Sequence, residues 1–351
     1  MPWFALSLSL SLLIPAQAAP VPPGPTLDIY FIDVEGGAAT LVVTPEREAI
    51  LIDSGWPGQD DRDAKRIEAV ARQEARLVRI DHLITTHWHV DHFGGVAGLA
   101  RRIPIDHFHD RGLPSPTAPD GDRARFPDGP GPDDPLGRAY REASQGKRTT
   151  LRAGHQVPLR GATRLTVLAA SGEVIRNPLA PPNPLCADAP ADLPADGSDN
   201  ARSIAVRVGL GAFEFLDCGD LTWNVEKQLV CPLNQVGPID LFQVTHHGMD
   251  ISNHPTLLAT IAPTVTVMNN GSRKGGSPAT VRRLRAVPSI RAAYQLHAST
   301  ATEPDANTMA DLIANPGASE GEFIHASVPL GGETFTVQIG ARGTLREFPS
   351  R

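Results

Sequence analysis

The sequence predicts a layered α/β fold in which two β-sheets stack face to face and helices cover their outer sides. Each half of the 351-residue chain begins with apolar strands and continues with alternating strands and helices. Strands that alternate with helices are typical of layered α/β domains. The 32 Gly and 33 Pro residues indicate many turns, which argues against a helical bundle.

The first half opens with strands that are rich in β-branched and aromatic residues. Gly36 and Gly37 separate the first two strands and indicate a hairpin. A later segment changes to a period of three to four residues among charged side chains, which predicts an amphipathic helix. The predicted elements are strands over 27–34, 39–44 and 49–52, a helix over 60–76, a strand over 81–86 and a helix over 93–102.

The second half repeats this order. Its first two strands flank Gly209, and its last strand shows the period-two alternation of a half-buried strand. The predicted elements are strands over 203–208 and 212–217, a helix over 221–230, a strand over 239–244, a helix over 255–262, a strand over 264–268, a helix over 278–286 and a strand over 334–339.

Two proline-rich segments, 112–135 and 177–200, interrupt this pattern. Proline lacks a backbone donor and restricts φ, so neither segment is expected to form a regular element. Loops of this length are uncommon unless they are functional or disordered. Both border the candidate site described below, and a solvated surface insertion is the alternative to a role there.

The N-terminal segment predicts export. An uncharged apolar run over 3–14 precedes a small-x-small site that ends at Ala18. This pattern is typical of a secretory signal peptide over 1–18, and an uncleaved anchor or a misassigned start is the alternative. The folded domain is then expected over 25–349, in the periplasm or outside the cell.

Three cysteines suggest one disulfide and one free thiol, as expected for an odd count in an exported protein. Cys218 lies in an apolar strand, whereas Cys186 and Cys231 lie in connections that contain proline. We therefore expect Cys186 and Cys231 to pair, with three unrelated thiols as the alternative. Without a Cys-x-x-Cys spacing, a cysteine-built metal site is not expected.

The charge balance limits the class of partner. Lys and Arg number 32 against 39 Asp and Glu, so the formal net charge is −7. A protein that coats nucleic acid needs a basic surface, so stable nucleic-acid binding is not expected. After the N-terminal run the sequence offers no stretch of membrane-spanning length. We expect a small-molecule substrate and no membrane channel, while the oligomeric state stays open.

A histidine-rich motif predicts a metal site directly after the strand over 81–86. His87, His89, Asp91 and His92 form a His-x-His-x-Asp-His pattern. Three imidazoles and a carboxylate within six residues are not explained by core packing. Imidazole nitrogen and carboxylate oxygen suit Zn²⁺, Mn²⁺ or Fe²⁺.

This motif resembles the signature of the metallo-β-lactamase superfamily, and the resemblance covers residues 27–345. It implies a four-layer αββα sandwich of two mixed β-sheets flanked by helices. It also implies two divalent ions, Zn²⁺ or Mn²⁺ with Fe²⁺ as a further option, and a carboxylate that bridges them. The implied metal ligands are His87, His89, Asp91, His92, Asp220 and His247.

The tandem pair His246-His247 leaves a choice of ligand. In the superfamily the residue before Gly is the usual ligand, so the resemblance favours His247. His246 then remains as a catalytic general acid or oxyanion donor, beside Asp91 as the other catalytic residue.

Within the superfamily, four segments resemble the ComEC-type branch in the same order along the chain: the opening hairpin, an Asn-x-x-Ser hairpin, the His-His-Gly segment and a late Gly-Pro loop. Many superfamily members have a third histidine for the first metal, but here Asn200 is nearest to that position. The first metal is therefore expected to have fewer protein ligands. Glu35, Ala38 and the absence of a His before Pro278 depart from the branch and leave the substrate open.

Further side chains are expected around the metals. The resemblance places Asp53 as a supporting acid, and His82 is expected to support a ligand or simply to pack. His297 is a weaker candidate near the site. The residues expected to bind substrate are Lys274, Arg273, Asn200 and Asn270, with a basic surface loop as the alternative for the first two.

The sequence thus predicts an exported hydrolase that uses a metal-bound hydroxide, acting on phosphodiesters. One alternative is an exported hydrolase of carboxylic esters, lactones or β-lactams. An alternative of another class is a non-catalytic metal-binding protein, which the complete motif set disfavours.

Overall fold

The computed structural model describes residues 24–114, 125–131, 133–301, 303, 306–317 and 321–351. The predicted signal peptide lies outside these residues, and so does part of the 112–135 insertion. In chain order the strands are β1 (Thr26–Phe31), β2 (Thr40–Val43), β3 (Ala49–Ile52), β4 (Ile80–Ile84), β5 (Ile105–Asp110), β6 (Arg148–Thr150), β7 (Gln156–Val157), β8 (Arg164–Ala170), β9 (Glu173–Val174), β10 (Ala205–Leu210), β11 (Phe213–Asp217), β12 (Leu241–Gln243), β13 (Val265–Met268), β14 (Ala292–His297), β15 (Ile313–Asn315), β16 (Ile324–Pro329), β17 (Thr334–Ile339) and β18 (Arg346–Pro349).

The α-helices are α1 (Arg62–Ala69), α2 (Val90–Phe93), α3 (Val96–Ala100), α4 (Pro135–Ala143), α5 (Trp223–Val230), α6 (Pro255–Ile261) and α7 (Pro278–Arg285). A π-helical turn, Val70–Glu74, continues α1. Short 3₁₀ turns lie at Gln59–Asp61, Pro184–Asp188, Asn200–Arg202, Thr245–Gly248 and Ala310–Leu312. Within the described ranges, no helix has the length and apolar character needed to cross a bilayer.

The strands form two mixed sheets. The first has the order β18-β17-β16-β1-β2-β3-β4-β5-β6 and is parallel only from β3 to β6. The second has the order β15-β14-β13-β12-β11-β10-β8-β7, with β9 paired to β8, and is parallel from β11 to β15. The predicted fold class is confirmed.

Three apolar clusters produce the four layers. The inner faces of both sheets pack together, as where Phe31 and Phe215 meet edge to face with centroids 5.8 Å apart. Helices α1, α3 and α4 cover the outer face of the first sheet, and α5, α6 and α7 cover the outer face of the second. Apolar burial on both faces of each sheet drives this arrangement.

The structure adds elements that the sequence analysis missed. Strands β5 and β8 were not predicted, and α4 begins at Pro135, the last residue of the first insertion. The side chain of Asp134 caps α4 by accepting hydrogen bonds from Leu136 N and Gly137 N, and Pro135 occupies the first helical position. The second insertion contains the 3₁₀ turn Pro184–Asp188, so the expectation that it holds no regular element was wrong.

A disulfide ties the second insertion to the end of α5. Cys186 and Cys231 are bonded, with Cα atoms 5.7 Å apart, while Cys218 is a buried free thiol. The observed pairing is the one expected from the sequence. It encloses a segment of 45-residue separation that contains β10, β11 and α5.

Candidate metal centre

The candidate ligands follow the carboxyl ends of three strands, β4, β11 and β12. Each of these strands is parallel to at least one neighbour, so these ends meet at one edge of the sandwich. This is where open α/β sheets usually place their ligand sites. The His-x-His-x-Asp-His motif runs from the end of β4 into α2, Asp220 follows β11, and the tandem histidines follow β12.

Four of the predicted ligands form a compact cluster: Asp91, His92, Asp220 and His247. The His92 and His247 Nε2 atoms are 3.1 Å apart, and each lies 3.2–3.3 Å from the Oδ2 atoms of Asp91 and Asp220. The donors fall into two groups that share His92, namely His87, His92 and Asp220, and Asp91, His92 and His247; within each group the ligand atoms lie within 4.8 Å of one another. Imidazole nitrogen and carboxylate oxygen are donors that suit Zn²⁺.

Hydrogen bonds on Nδ1 fix the orientation of the two imidazole rings in this cluster. His92 donates its Nδ1 proton to Asp53 Oδ2 at 2.7 Å, and His247 donates its own to Asn269 O at 3.2 Å. In the neutral rings both Nε2 atoms then carry lone pairs that face each other, an arrangement that a cation between them stabilises. Metal-binding histidines generally have such a partner on the second nitrogen.

Asp53, which the sequence predicted to be a supporting acid, contacts the ring of a predicted ligand. It is buried and accepts hydrogen bonds from Thr86 N and Thr86 Oγ1 at 2.8 and 2.7 Å, in addition to the bond from His92. Its φ of 60° is left-handed, a conformation that is rare for a residue other than glycine. Asp53 therefore joins the end of β3 to the metal loop.

The ring of His87 is also held by a hydrogen bond on Nδ1. Because Thr86 Oγ1 donates its proton to Asp53, it accepts one from His87 Nδ1, 3.0 Å away. His87 Nε2 is buried without a hydrogen-bond partner among the described residues and lies 3.8 Å from Asp220 Oδ2. A buried nitrogen without a partner is costly unless an ion or water satisfies it.

His89 differs from the other motif histidines. Its Nε2 lies 3.2 Å from Asp128 Oδ2, and the side chain is 29% exposed. Its ring remains beside that of His87, with centroids 4.7 Å apart. The structure thus turns the predicted ligand toward an acid of the first insertion, a contact that the sequence did not indicate.

His246 has partners on both ring nitrogens. Ser252 Oγ donates to Leu221 O at 2.8 Å, so it accepts from His246 Nδ1 at 3.1 Å. Asn200 Nδ2 then donates to His246 Nε2 at 3.3 Å. In this tautomer His246 presents an acceptor, so the proton-donor role predicted from the sequence requires the ring to take up a second proton.

The tandem histidines lie in a strained turn. His246 and His247 have φ values of 55° and 52°, both left-handed. Gly275 packs against this turn, since a Cβ there would lie 2.1 Å from His247 O, and its own φ is 74°. Gly276 N donates to His247 O at 2.8 Å and holds the two loops together.

The charges of the cluster are tightly coupled. Burial opposes ionisation of Asp220, but the adjacent imidazoles of His247, His92 and His246 outweigh it and hold the pKa of Asp220 well below its usual range. Burial likewise opposes a charge on His92, but the Asp220, Asp91 and Asp53 carboxylates raise its pKa well above the ordinary value. Without a metal, protons compensate the carboxylates, and a divalent cation can take their place.

Lys274 is the predicted substrate-binding residue that lies beside the cluster. Its ammonium contacts Asp91 Oδ2 and lies 5.0 Å from the centre of the Trp56 ring. Arg273 is exposed, whereas Asn200 contacts His246 as described. Asn270 is buried and donates to Gly271 O and His297 O, so it holds the loop rather than facing a substrate.

The two remaining histidine candidates lie in other networks. His297 Nε2 lies 2.7 Å from Asp33 Oδ1, in a cluster that also contains Glu35 and is able to hold a cation. His82 bonds to His109 at 3.0 Å and to Glu48 at 3.3 Å, none of which is a predicted metal ligand. The structure thus supports packing for His82, because both of its ring nitrogens are bonded to residues outside the metal loop.

The Metallo-beta-lactamase superfamily model matches residues 32–169, a segment that contains Asp53 and the whole histidine motif. The match supports the metallo-beta-lactamase superfamily. The segment ends before Asp220 and His247, so only the structure places these two residues in the cluster.

Curated relatives match over a short stretch. The lactamase-like protein adaB of Aspergillus niger is 42% identical over 69 residues, 19% of this chain and 20% of that protein. The atrochrysone carboxyl ACP thioesterase of Aspergillus terreus is 37% identical over 68 residues, with the same coverage of 19% and 20%. The chain thus matches about a fifth of the length of these relatives.

Solved structures show a distant similarity. The metallo hydrolase Igni18 of Ignicoccus hospitalis is 11% identical with a TM-score of 0.43, covering 76% of this chain and 94% of that chain. CmlA, a diiron beta-hydroxylase from Streptomyces venezuelae, is 15% identical with a TM-score of 0.38, covering 72% and 46%. Similarities at this level carry no information about the reaction.

Proposed function

We propose that this protein is an exported, metal-dependent hydrolase of small phosphodiesters. The observation that carries the substrate class is the position of Lys274, whose ammonium lies at the Asp91 corner of the metal cluster. A cation beside the reacting centre favours an anionic substrate. The ComEC-type order of motifs in the sequence favours the same class.

The cluster residues would hold divalent ions, Zn²⁺ or Mn²⁺, which when bound supply Lewis acidity and activate water. Asp53, Thr86 and Asn269 keep the ligand rings oriented by hydrogen bonds. The Oδ2 atom of Asp220 lies 3.2–3.8 Å from the Nε2 atoms of His87, His92 and His247. The Asp220 carboxylate would therefore help to hold both ions.

Lys274 would bind a non-bridging oxygen of the substrate once a metal replaces its contact with Asp91. Trp56 faces the ammonium and limits where it can move. The net charge of −7 repels a long polyanion at a distance, which favours small phosphodiesters over polymeric DNA.

Export is part of this proposal and is supported by the Cys186–Cys231 disulfide. Disulfides persist in oxidising compartments such as the periplasm and the cell exterior. Fractionation of cells that produce the tagged chain tests it: we expect the protein outside the cytoplasm, beginning after Ala18. A cytoplasmic protein with an intact N-terminus would contradict export.

A second candidate is the hydrolysis of carboxylic thioesters or esters. The names of the curated relatives, a lactamase-like protein and a thioesterase, favour this candidate. Lys274 is compatible with this chemistry too, because a carboxylate elsewhere on such a substrate would also bind an ammonium.

A substrate panel separates the candidates. Purified protein loaded with Zn²⁺ or Mn²⁺ would be assayed on bis-p-nitrophenyl phosphate, a phosphocholine ester, single-stranded DNA, nitrocefin, a lactone and an acyl thioester. We expect the highest kcat/KM on a small phosphodiester. Faster turnover of the thioester, lactone or nitrocefin would overturn the substrate class, and no turnover by metal-loaded protein would favour a non-catalytic protein.

The Lys274→Gln variant tests the binding role. Loss of a charge-assisted contact is worth about tenfold or more in affinity, so KM for the phosphodiester should rise by that factor while a neutral ester is little affected. Lys65→Gln is the matched control, because Lys65 also pairs with an aspartate, Asp60, but lies on α1 away from the cluster. Equal effects of both variants would refute the assignment.

A further inference from the structure

A second concave site lies at the same edge of the sandwich as the metal centre. It is a cavity of about 560 Å³ whose lining comes from the ends of β5, β6 and β8 and from the first insertion. Strands β4, β5 and β6 are parallel neighbours, and the metal loop follows β4. Neighbouring strands are about 4.8 Å apart, so the cavity begins about 5–10 Å along the edge from the metal loop.

The charged side chains of this cavity are mostly cations. Its lining contains Arg111, Arg125, Arg148 and Arg152, and Glu173 is the one acid among the described residues that line it. Arginine stays ionised at physiological pH, so the lining is basic although the chain has a net charge of −7. Guanidinium groups that share one cavity repel each other, and an anion between them relieves that repulsion.

Two of the arginines are oriented by buried acids. Arg148 donates to Asp110 from Nε and Nη2 at 2.8 and 2.9 Å, and Arg111 pairs with Asp199. Both carboxylates are fully buried, and counting them still leaves four arginines against three acids. Asp110 occupies one edge of the Arg148 guanidinium, and this side chain is 30% exposed, so its opposite edge can reach a ligand.

The chemistry of the lining favours a phosphate group. A guanidinium presents paired N–H donors in a plane, which match two oxygens of a phosphate or a carboxylate. A phosphate monoester has three acceptor oxygens, so it can accept from more than one guanidinium at once. Arg152 is exposed on the segment that follows β6, where it can supply a second fork beside Arg148.

The cavity is connected to the metal loop through shared contacts. Asp199, the partner of Arg111, accepts the backbone N–H of Trp88 at 2.7 Å, and Trp88 lies inside the histidine motif. The Trp88 indole N–H also donates at 2.8 Å to the carbonyl of Gly112, which lines the cavity. One wall of the cavity is therefore fixed to the loop that carries the predicted metal ligands.

We propose that this arginine-lined cavity is a phosphate-binding site next to the metal centre. A terminal phosphate on the substrate and free inorganic phosphate share the chemistry that the site recognises. The proximity to the metal loop favours the substrate as the source. Binding of phosphate does not depend on the hydrolase activity proposed above, whereas the assignment to a substrate group rests on it.

Isothermal calorimetry with inorganic phosphate and metal-free protein tests the site without catalysis. We expect one phosphate per chain. Arg152→Gln should weaken binding about tenfold, since it removes one charge-assisted contact. Arg148→Lys, which keeps a cation opposite Asp110 but removes the planar fork, should weaken binding in the same direction.

Two controls make the result specific. Arg160→Gln changes an exposed arginine on the turn between β7 and β8, outside the cavity lining, and should leave the dissociation constant unchanged. Lys274→Gln should also leave it unchanged, because Lys274 contacts Asp91 at the metal centre. Acetate, titrated in place of phosphate, should bind more weakly.

Kinetics of metal-loaded protein identify the source of the phosphate. The substrates are a dinucleotide phosphodiester with a 5′-phosphate and the same dinucleotide without it. We expect Arg152→Gln to raise KM for the phosphorylated dinucleotide about ten times more than for the other. Equal changes in KM for both would identify free phosphate as the occupant.

The calorimetry decides whether the site exists. Absence of phosphate binding by the wild type would overturn it, and so would equal constants for the wild type, Arg152→Gln and Arg148→Lys. Loss of binding in Lys274→Gln alone would place the phosphate at the metal centre, and tighter binding of acetate would refute the assignment to phosphate. Phosphate binding as expected without hydrolysis of either dinucleotide would refute the proposed function and leave the site standing.

Discussion

Replacement of Glu226 by Gln should stabilise the protein at alkaline pH and much less at acidic pH. Glu226 lies on α5, is fully buried and accepts the backbone N–H of His254 at 2.8 Å. Burial raises the pKa of its carboxyl from 4.5 to about 7, against the lowering effect of hydrogen bonds from His254 and neighbouring groups. The protonated acid is therefore the form that the fold prefers.

The sign and size follow from proton linkage. Between pH 4.5 and about 7 the folded state holds a proton that the unfolded chain has lost, so the stability due to the protonated acid is complete below pH 4.5 and is lost as the pH rises to about 7. One pKa unit corresponds to about 1.4 kcal/mol, so the ionised carboxylate lowers the free energy of unfolding by about 3 kcal/mol at pH 8. Gln has no such charge and keeps an acceptor for His254 N.

Urea denaturation of metal-free wild type and Glu226→Gln at pH 5 and pH 8 measures this. We expect the difference in unfolding free energy between the two proteins to favour the variant by about 2–3 kcal/mol more at pH 8 than at pH 5. Glu142→Gln, the same change at an exposed position of α4, is the control. A difference that does not change with pH would show that Glu226 is not held protonated by the fold, and the reasoning would be wrong.

Three other changes test the site and its support. Asp53→Asn should weaken metal binding about 10- to 100-fold, because an amide oxygen is a weaker acceptor than a carboxylate for the Nδ1 proton of His92. Calorimetric titration measures the dissociation constant, and an unchanged constant would contradict this role of Asp53. Gly275→Ala should destabilise the fold by about 1–3 kcal/mol, since the new Cβ would collide with His247 O and the φ of 74° is unfavourable for Ala; a thermal melt with unchanged midpoint would refute it. The double change Cys186→Ser and Cys231→Ser, which opens a loop of 45-residue separation, should lower stability by up to about 4 kcal/mol; urea denaturation of oxidised wild type against the variant checks it.

The clustering of the candidate ligands could be predicted from the sequence because these residues are concentrated in a few motifs at the ends of strands. The structure places the Nε2 atoms of His92 and His247 3.1 Å apart and each of them 3.2–3.3 Å from Asp91 and Asp220, although these residues are far apart in the sequence. Strand ends are a local feature, and parallel pairing brings them to one edge. Local pattern and topology therefore sufficed for these four residues.

Side-chain orientation could not be predicted in the same way. His89 belongs to the same motif as His92, yet its ring turns to Asp128, whose position depends on the backbone of Asp199. Similarly, β5 lies between two parallel neighbours, but it contains His107, His109 and Asp110. These polar residues hid the apolar pattern by which a strand is predicted from sequence. These outcomes depend on contacts between distant segments, which a linear pattern does not contain.

The strain in the tandem-histidine turn indicates that the fold itself holds His247 in position. Left-handed backbone at two adjacent non-glycine residues, His246 and His247, costs about 1–3 kcal/mol each and persists only when surrounding contacts require it. Asn253 supplies such contacts by bonding both Thr245 N and Thr245 O, and the Gly275 loop closes over His247 from the other side. The fold thus maintains the geometry of His247 before any ion binds.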